Sequence, residues 1–368
     1  MHSFSRRQFL QSSAAVATAA GIPFAARAQE RNFDPQPGDW RTFEVTTRVE
    51  VLVPSGATRV WLPVPSVDTE WQQSLESSFA SNGEAKLMGD GHEGARMLYA
   101  EFPASQAQPW VELTSKVRTR NRSASQRDPS DVLTAQDRKY WTRSTRMLPT
   151  DGIVRTKALE ATRGARTDEA KVRAVYDWVV ANTYREPKVR GCGEGDIKTM
   201  LETGNLGGKC ADINAVFVGM LRSVGVPARD VYGLRLAPSA FGYKELSGNP
   251  ASLKGAQHCR SEVFLPGGRG WVAMDPADVA KVMRLETADW IKTTQHPVVA
   301  PVNRALFGGW EGNWLAWNTA HDVRLPNTKS EPLNFFMYPI AEDAQGRRDP
   351  YSPDDFKYTI TSREIKAS

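Results

Sequence analysis

One cysteine, one histidine and one aspartate of this chain stand at the ends of recognisable elements, in the order that a sulfur nucleophile, its base and an orienting acid require. Cys210 lies in Gly207-Gly208-Lys209-Cys210-Ala211-Asp212, His258 follows Gln257, and Asp275 precedes Pro276. A thiol attacks an acyl carbon as the thiolate, which is favoured where unpaired amides and the positive end of a helix dipole face the sulfur. From Cys210 onward Ile213, Val216, Phe217, Met220, Leu221 and Val224 recur with a helical period, and Gly225 and Pro227 end the pattern. The spacing predicts a helix opening at Cys210. Gly207 and Gly208 allow a tight turn ahead of it, and Lys209 adds a positive charge.

Gln257 to Leu265 reads as a strand, Pro266 to Gly270 as a turn and Gly270 to Asp275 as the returning strand. A hairpin brings its open ends together, so His258 and Asp275 are expected as cross-strand neighbours. The carboxylate then fixes the imidazole tautomer and leaves the other ring nitrogen for the thiol.

These blocks, GGKCADINAVFVGMLRSVGVPARDVYGLRL and QHCRSEVFLPGGRGWVAMDPADV, resemble the transglutaminase-like superfamily, a papain-type cysteine fold. The resemblance spans roughly residues 197 to 282. It implies a triad of Cys210, His258 and Asp275 and a thioester acyl-enzyme; no cofactor is expected, and the lack of metal-ligand spacing argues against a metal. The implied substrate is a peptide, protein or cell-wall amide, with hydrolysis preferred over cross-linking of glutamine to amines. A non-catalytic binding or assembly protein on the same fold is the alternative of a different class. Where the family commonly has a small residue and then Trp after its histidine, this chain has Cys259 and Arg260.

The elements that must position these residues suggest an α+β chain. Residues 40–122 alternate as strands, with Phe43, Val45, Thr47, Val49 and Val51 on one face, and form a β-sandwich-like N-terminal domain. Asn121 to Asp131 is polar and suits a linker. The catalytic core is expected over 132–286, with a helix capped by Thr167 and a shorter one from Ile197 closed by Gly204. Residues 287–368 form an extension rich in Trp, Asn and Gly that fills core and ends in a strand, Phe356-Tyr358-Ile360, expected to return to the first sheet. His321 with Asp322 carries two catalytic residue types, but neighbours on a strand point to opposite faces. Tyr243 to Lys254, polar and holding Gly and Pro, is the expected lid. Asn205 is a candidate oxyanion donor, although a turn role suits it better.

Residues 1–28 read as a twin-arginine signal peptide: Ser5-Arg6-Arg7-Gln8-Phe9-Leu10, an Ala-rich apolar run, and Ala26-Arg27-Ala28 for cleavage. The twin-arginine translocase is thus a partner in export, and the mature chain is expected to be periplasmic or secreted without a membrane anchor. The net charge is +5. The signal holds three arginines and no acid, which leaves +2 and argues against nucleic-acid binding. The cluster Arg118-Thr119-Arg120-Asn121-Arg122 is expected on a solvated face. Of three cysteines at least one must be unpaired. If that one is Cys210, Cys192 and Cys259 are free either to pair or to stay reduced. No CxxC or HExxH spacing supports zinc.

Overall fold

The computed structural model describes residues 31–126, 132–352 and 356–366. The signal segment and residues 127–131 of the linker lie outside the described residues. Strands β1 (Arg41–Val51), β2 (Thr58–Val64), β3 (Gln72–Ser81), β4 (Glu84–Gly89), β5 (Arg96–Phe102) and β6 (Trp110–Thr119) come first. Alternate residues of β1 and β6 are buried, as a sheet with one face on a core requires.

Helices α1 (Ala135–Trp141), α2 (Gly152–Ala161) and α3 (Asp168–Asn182) follow, then β7 (Tyr184–Arg185), α4 (Ile197–Thr203), β8 (Gly207–Gly208) and α5 (Cys210–Ser223). Thr167 caps α3 by accepting from the Ala170 amide, and left-handed Gly204 closes α4. Next come β9 (Ala228–Arg235), β10 (Gln257–Leu265), β11 (Gly270–Met274), α6 (Pro276–Leu285) and α7 (Ala300–Ala305). The chain ends with β12 (Phe307–Gly308), β13 (Trp314–Asn318), β14 (His321–Val323), β15 (Leu333–Phe335), β16 (Ile340–Asp343), β17 (Gly346–Arg347) and β18 (Phe356–Ile365).

Two sheets form the first layer pair, ordered β18-β1-β6-β3 and β17-β16-β2-β5-β4. Each therefore takes strands from the end of the chain: β18 pairs with β1 and β16 with β2. The sheet ordered β12-β11-β10-β9-β13 carries α5 packed on β9 and β10. Three tryptophans of the aromatic tail fill core, Trp310, Trp314 and Trp317 all being buried, while Trp290 is 36% exposed.

Strand β10 is buried along its whole length although it holds Arg260 and Glu262. Charges are buried at tolerable cost only when paired. Glu262 meets Arg229 at 2.6 Å and, from the end of the first sandwich, Arg122. Arg122 was expected on a solvated face and is instead buried, stacked on Trp71 and Trp310 and bridged to Trp310 through the backbone. It ties the sandwich, the sheet of β9 to β13 and the aromatic tail together. Breaking a buried pair costs roughly 3 kcal/mol or more. Glu262→Gln, which leaves the buried Arg122 and the partly buried Arg229 guanidiniums facing a neutral group, is accordingly expected to lose about 3 kcal/mol of stability by that comparison, measured as a lower denaturant midpoint.

Candidate active site

Cys210 is the first residue of α5, as the periodicity predicts, and is only 2% exposed. Its position is set by Asp212 in the same turn. One carboxylate oxygen of Asp212 accepts from the Lys209 amide, and the other accepts from the amides of Glu194 and Gly195. The Ala211 amide donates to the Cys192 carbonyl at 2.9 Å. Together these bonds clamp the Cys192 loop onto the start of α5. Gly193 is required there: its φ is +89°, and a Cβ would fall 1.8 Å from Asp212 Oδ2.

One turn further along α5, on the same face, Asn214 Nδ2 donates to the Cys259 carbonyl at 2.8 Å and lies 3.4 Å from Asp275 Oδ1. This couples the cysteine helix to the strand that carries His258. The His258 carbonyl accepts from Trp314 Nε1 at 3.0 Å, and Gly233 lies opposite His258 on β9. A Cβ on Gly233 would meet the Trp314 ring and the Leu315 carbonyl, so only glycine lets that tryptophan approach.

His258 Nε2 lies 2.7 Å from Asp275 Oδ2, both side chains being buried. The pairing is diagonal rather than directly cross-strand. Ser261 faces Met274, so the continued register sets Asp275 opposite Arg260, two residues from His258 and on the same side of the pleat. Asp275 is the N-cap of α6 and accepts from the Asp278 amide, which fixes its carboxylate before Pro276 starts the helix. With Nε2 committed to acid, Nδ1 is the nitrogen available to the thiol.

Sequence patterns did not single out Asp278 or Arg235, and noted Arg260 only as a departure from the family pattern. Asp278 Oδ2 lies 3.3 Å from His258 Nε2, and its Oδ1 accepts from Arg235 Nη2 at 2.5 Å. Arg260 Nε is 3.6 Å from Asp275 Oδ2, and its guanidinium stacks on Trp314 and Trp310. The family's departure at this position thus places a cation beside the acid. Ligand atoms of His258, Asp275 and Asp278 lie within 4.8 Å of one another. Arg235 and Arg260 already neutralise both carboxylates, so the donor set does not suit a metal cation.

The three cysteines are free thiols, so the pairing of Cys192 with Cys259 is not formed. Burial alone would push the Cys210 thiol up, but hydrogen bonding from Cys192 and Cys259 and the nearby His258 hold it well below its usual value. Burial and Arg235 disfavour a charged His258, yet Asp278 and Asp275 outweigh them and raise it to about 9. Both shifts favour the thiolate–imidazolium form of the pair over the neutral form.

Other candidates lie elsewhere. Asn205 is exposed, and its carbonyl oxygen accepts from the Gly207 amide, a turn role. His321 is buried 3.3 Å from Asp230, while Asp322 turns away at φ +52° to accept from the Arg146 amide. The segment Tyr243 to Lys254 is pinned instead of free to act as a lid. Tyr243 and Leu253 are buried, Tyr243 donates to the Val298 carbonyl, and the Leu253 amide donates to Ile360 of β18.

Comparison with known proteins adds the family. The family model described as transglutaminase-like superfamily matches residues 155–276, and that for the twin-arginine translocation pathway signal sequence matches residues 3–23. An uncharacterised protein of Haemophilus influenzae is 32% identical over 373 residues, covering 95% of this chain and 98% of the relative. A solved protein of Cytophaga hutchinsonii, provisionally assigned as a cysteine protease, is similar in fold at TM-score 0.51 and 12% identity, over 90% of this chain and 93% of that one. The periplasmic domain of TgpA from Pseudomonas aeruginosa is more distant, at TM-score 0.35 and 18% identity over 70% and 77% of the two chains. The chain belongs to the transglutaminase-like superfamily, with the fold of cysteine-dependent enzymes. It carries a signal for the twin-arginine translocase and is periplasmic or secreted. Among the described residues no helix is long and apolar enough to cross a membrane.

Because folding raises the His258 pKa from 6.5 to about 9, its contribution to stability is complete below 6.5 and lost as pH rises through about 9. The same proton governs the thiol's reaction with iodoacetate, an anion that the imidazolium attracts. Alkylation of Cys210 by iodoacetate should be bell-shaped in pH, its descending limb near 9, and His258→Ala should remove that limb.

Proposed function

We propose that this protein is an exported cysteine-dependent acyl-transfer enzyme acting on peptide or amide bonds, with Cys210 as nucleophile, His258 as general base and then acid, and Asp275 as orienter. The observation that carries the reading is the 2.7 Å bond from His258 Nε2 to the capping carboxylate of Asp275, set beside a thiol at a helix N-terminus. The Cys210 thiolate attacks the amide carbonyl and forms a tetrahedral oxyanion. The amides on either side are engaged, Lys209 with Asp212 and Ala211 with Cys192. The Cys210 amide is the oxyanion donor in this mechanism. His258 protonates the leaving amine, which departs to give a thioester on Cys210. A second nucleophile, deprotonated by His258, then releases the acyl group and restores the thiol.

Water is the acceptor we assign. Water, the smallest acceptor, needs no amine-binding subsite beside Cys210 and His258, which are 2% and 4% exposed. Exported substrates are extracytoplasmic proteins or the peptide amides of the cell wall.

The test is turnover of purified cell-wall peptides and exported proteins, with acid-quench mass spectrometry for a thioester on Cys210. Wild type should release products carrying oxygen from labelled water. Cys210→Ala should abolish turnover, a loss of at least about 1000-fold if the nucleophile is essential, while the near-ultraviolet circular dichroism stays unchanged. Incorporation of an added amine in place of water would assign cross-linking, and unaffected turnover by Cys210→Ala would exclude the mechanism.

A further inference from the structure

We propose that Asp278 is a second positioning carboxylate for His258, held by Arg235, so that the imidazole is oriented by two acids of one helical turn. The inference rests on the function proposed above and specifies how its base is controlled.

The geometry is that of a divided carboxylate. Asp278 directs Oδ1 to Arg235 at 2.5 Å and Oδ2 to His258 Nε2 at 3.3 Å. Its backbone amide donates to Asp275 Oδ1 at 3.1 Å, so the turn that fixes one acid fixes the other. Arg235 is held in turn by the Leu246 carbonyl at 3.2 Å. Both Asp278 and Arg235 are buried, as are Asp275 and Arg260. Two carboxylates and two guanidiniums form a neutral frame, into which thiolate and imidazolium enter as a further neutral pair. A surface salt bridge that merely secured α6 would not send one oxygen to the imidazole.

Arg235 and Asp278 act on His258 with opposite sign. The Arg235 cation disfavours a proton on the ring, and the Asp278 anion favours it. Other groups of the surroundings are Cys210 from α5, Cys192 from the loop before α4, Asp275 from the start of α6, Arg260 from β10 and the Tyr176 phenol from α3. None of these is changed by substitutions at Asp278 or Arg235. Because an unpaired Arg235 would itself lower the limb, the effect of Asp278→Asn is read in the Arg235→Met background as well, where a downward shift can come only from Asp278 acting on the imidazole.

The experiment is the pH profile of iodoacetate alkylation at Cys210, followed by peptide mass spectrometry, which needs no substrate. Wild type must first show the descending limb; a profile without one overturns the thiolate–imidazolium reading and this inference with it. Given that limb, Asp278→Asn should move it down by about one pH unit or more, the usual effect of losing a charge within ~4–6 Å. Arg235→Met should move it up. A limb unchanged in Asp278→Asn, or moved the same way by both substitutions, would overturn the proposal while leaving the parent mechanism standing. Should Asp278→Asn fail to fold, Arg235→Met decides alone: an upward shift supports the antagonism, and an unmoved limb overturns it.

Discussion

A thiolate can persist in a site this buried only if compensating charge is already fixed around it. Water cannot solvate Cys210 fully behind 2% exposure, so the protein must replace that solvation with its own dipoles and ions. The groups placed to do so are the start of α5, the neighbouring thiols and His258, whose protonated form the buried acids favour. Those acids are costly in turn, and each has its own guanidinium, Arg235 for Asp278 and Arg260 for Asp275. Much of the fold beyond this cluster can be understood as holding four buried charges at fixed distances.

The distribution of those charges explains why the two ends of the chain meet. Arg260 is braced by Trp310 and Trp314, which come from the aromatic tail, and its Nη1 donates to the Glu311 carbonyl. The tail runs on into β16 and β18, which complete the two sheets of the N-terminal sandwich. The Arg122–Glu262 pair closes the circuit from the other side, joining the end of the sandwich to the strand of His258. The sandwich is thereby mechanically continuous with the site, not a separate module on a flexible tether.

Much of this was legible in the sequence where the signal is local. The apolar period after Cys210 locates α5 because one face of that helix is core, and the alternation in β1 locates a half-buried strand. The hairpin of His258 and Asp275 was also legible, but its register was not. Direct pairing was the simplest assumption, and the diagonal contact depends on where β11 stops and α6 begins. Asp278 and Asp212 carry no sequence signal of their own, and Arg122 reads as part of a solvated basic run. Their roles depend on partners brought close by the fold: Arg235 is 43 residues from Asp278, and Glu262 is 140 residues from Arg122. No periodicity carries that information. The Tyr243 to Lys254 segment was misread for a related reason. Its Gly and Pro content marks an irregular path, yet its burial is set by β18 at the far end of the chain.

One of the three buried thiols is set apart chemically from its neighbours by His258 and its acids. The direct measurement is treatment of the non-reduced protein with limiting iodoacetamide near neutral pH, with each cysteine's modification quantified by peptide mass spectrometry. Cys210 should be modified first and selectively, since hydrogen bonding to Cys210 pushes Cys192 up and burial pushes Cys259 up, while Cys210 is held down. Equal labelling of the three cysteines, or faster labelling of Cys192 or Cys259, would contradict it.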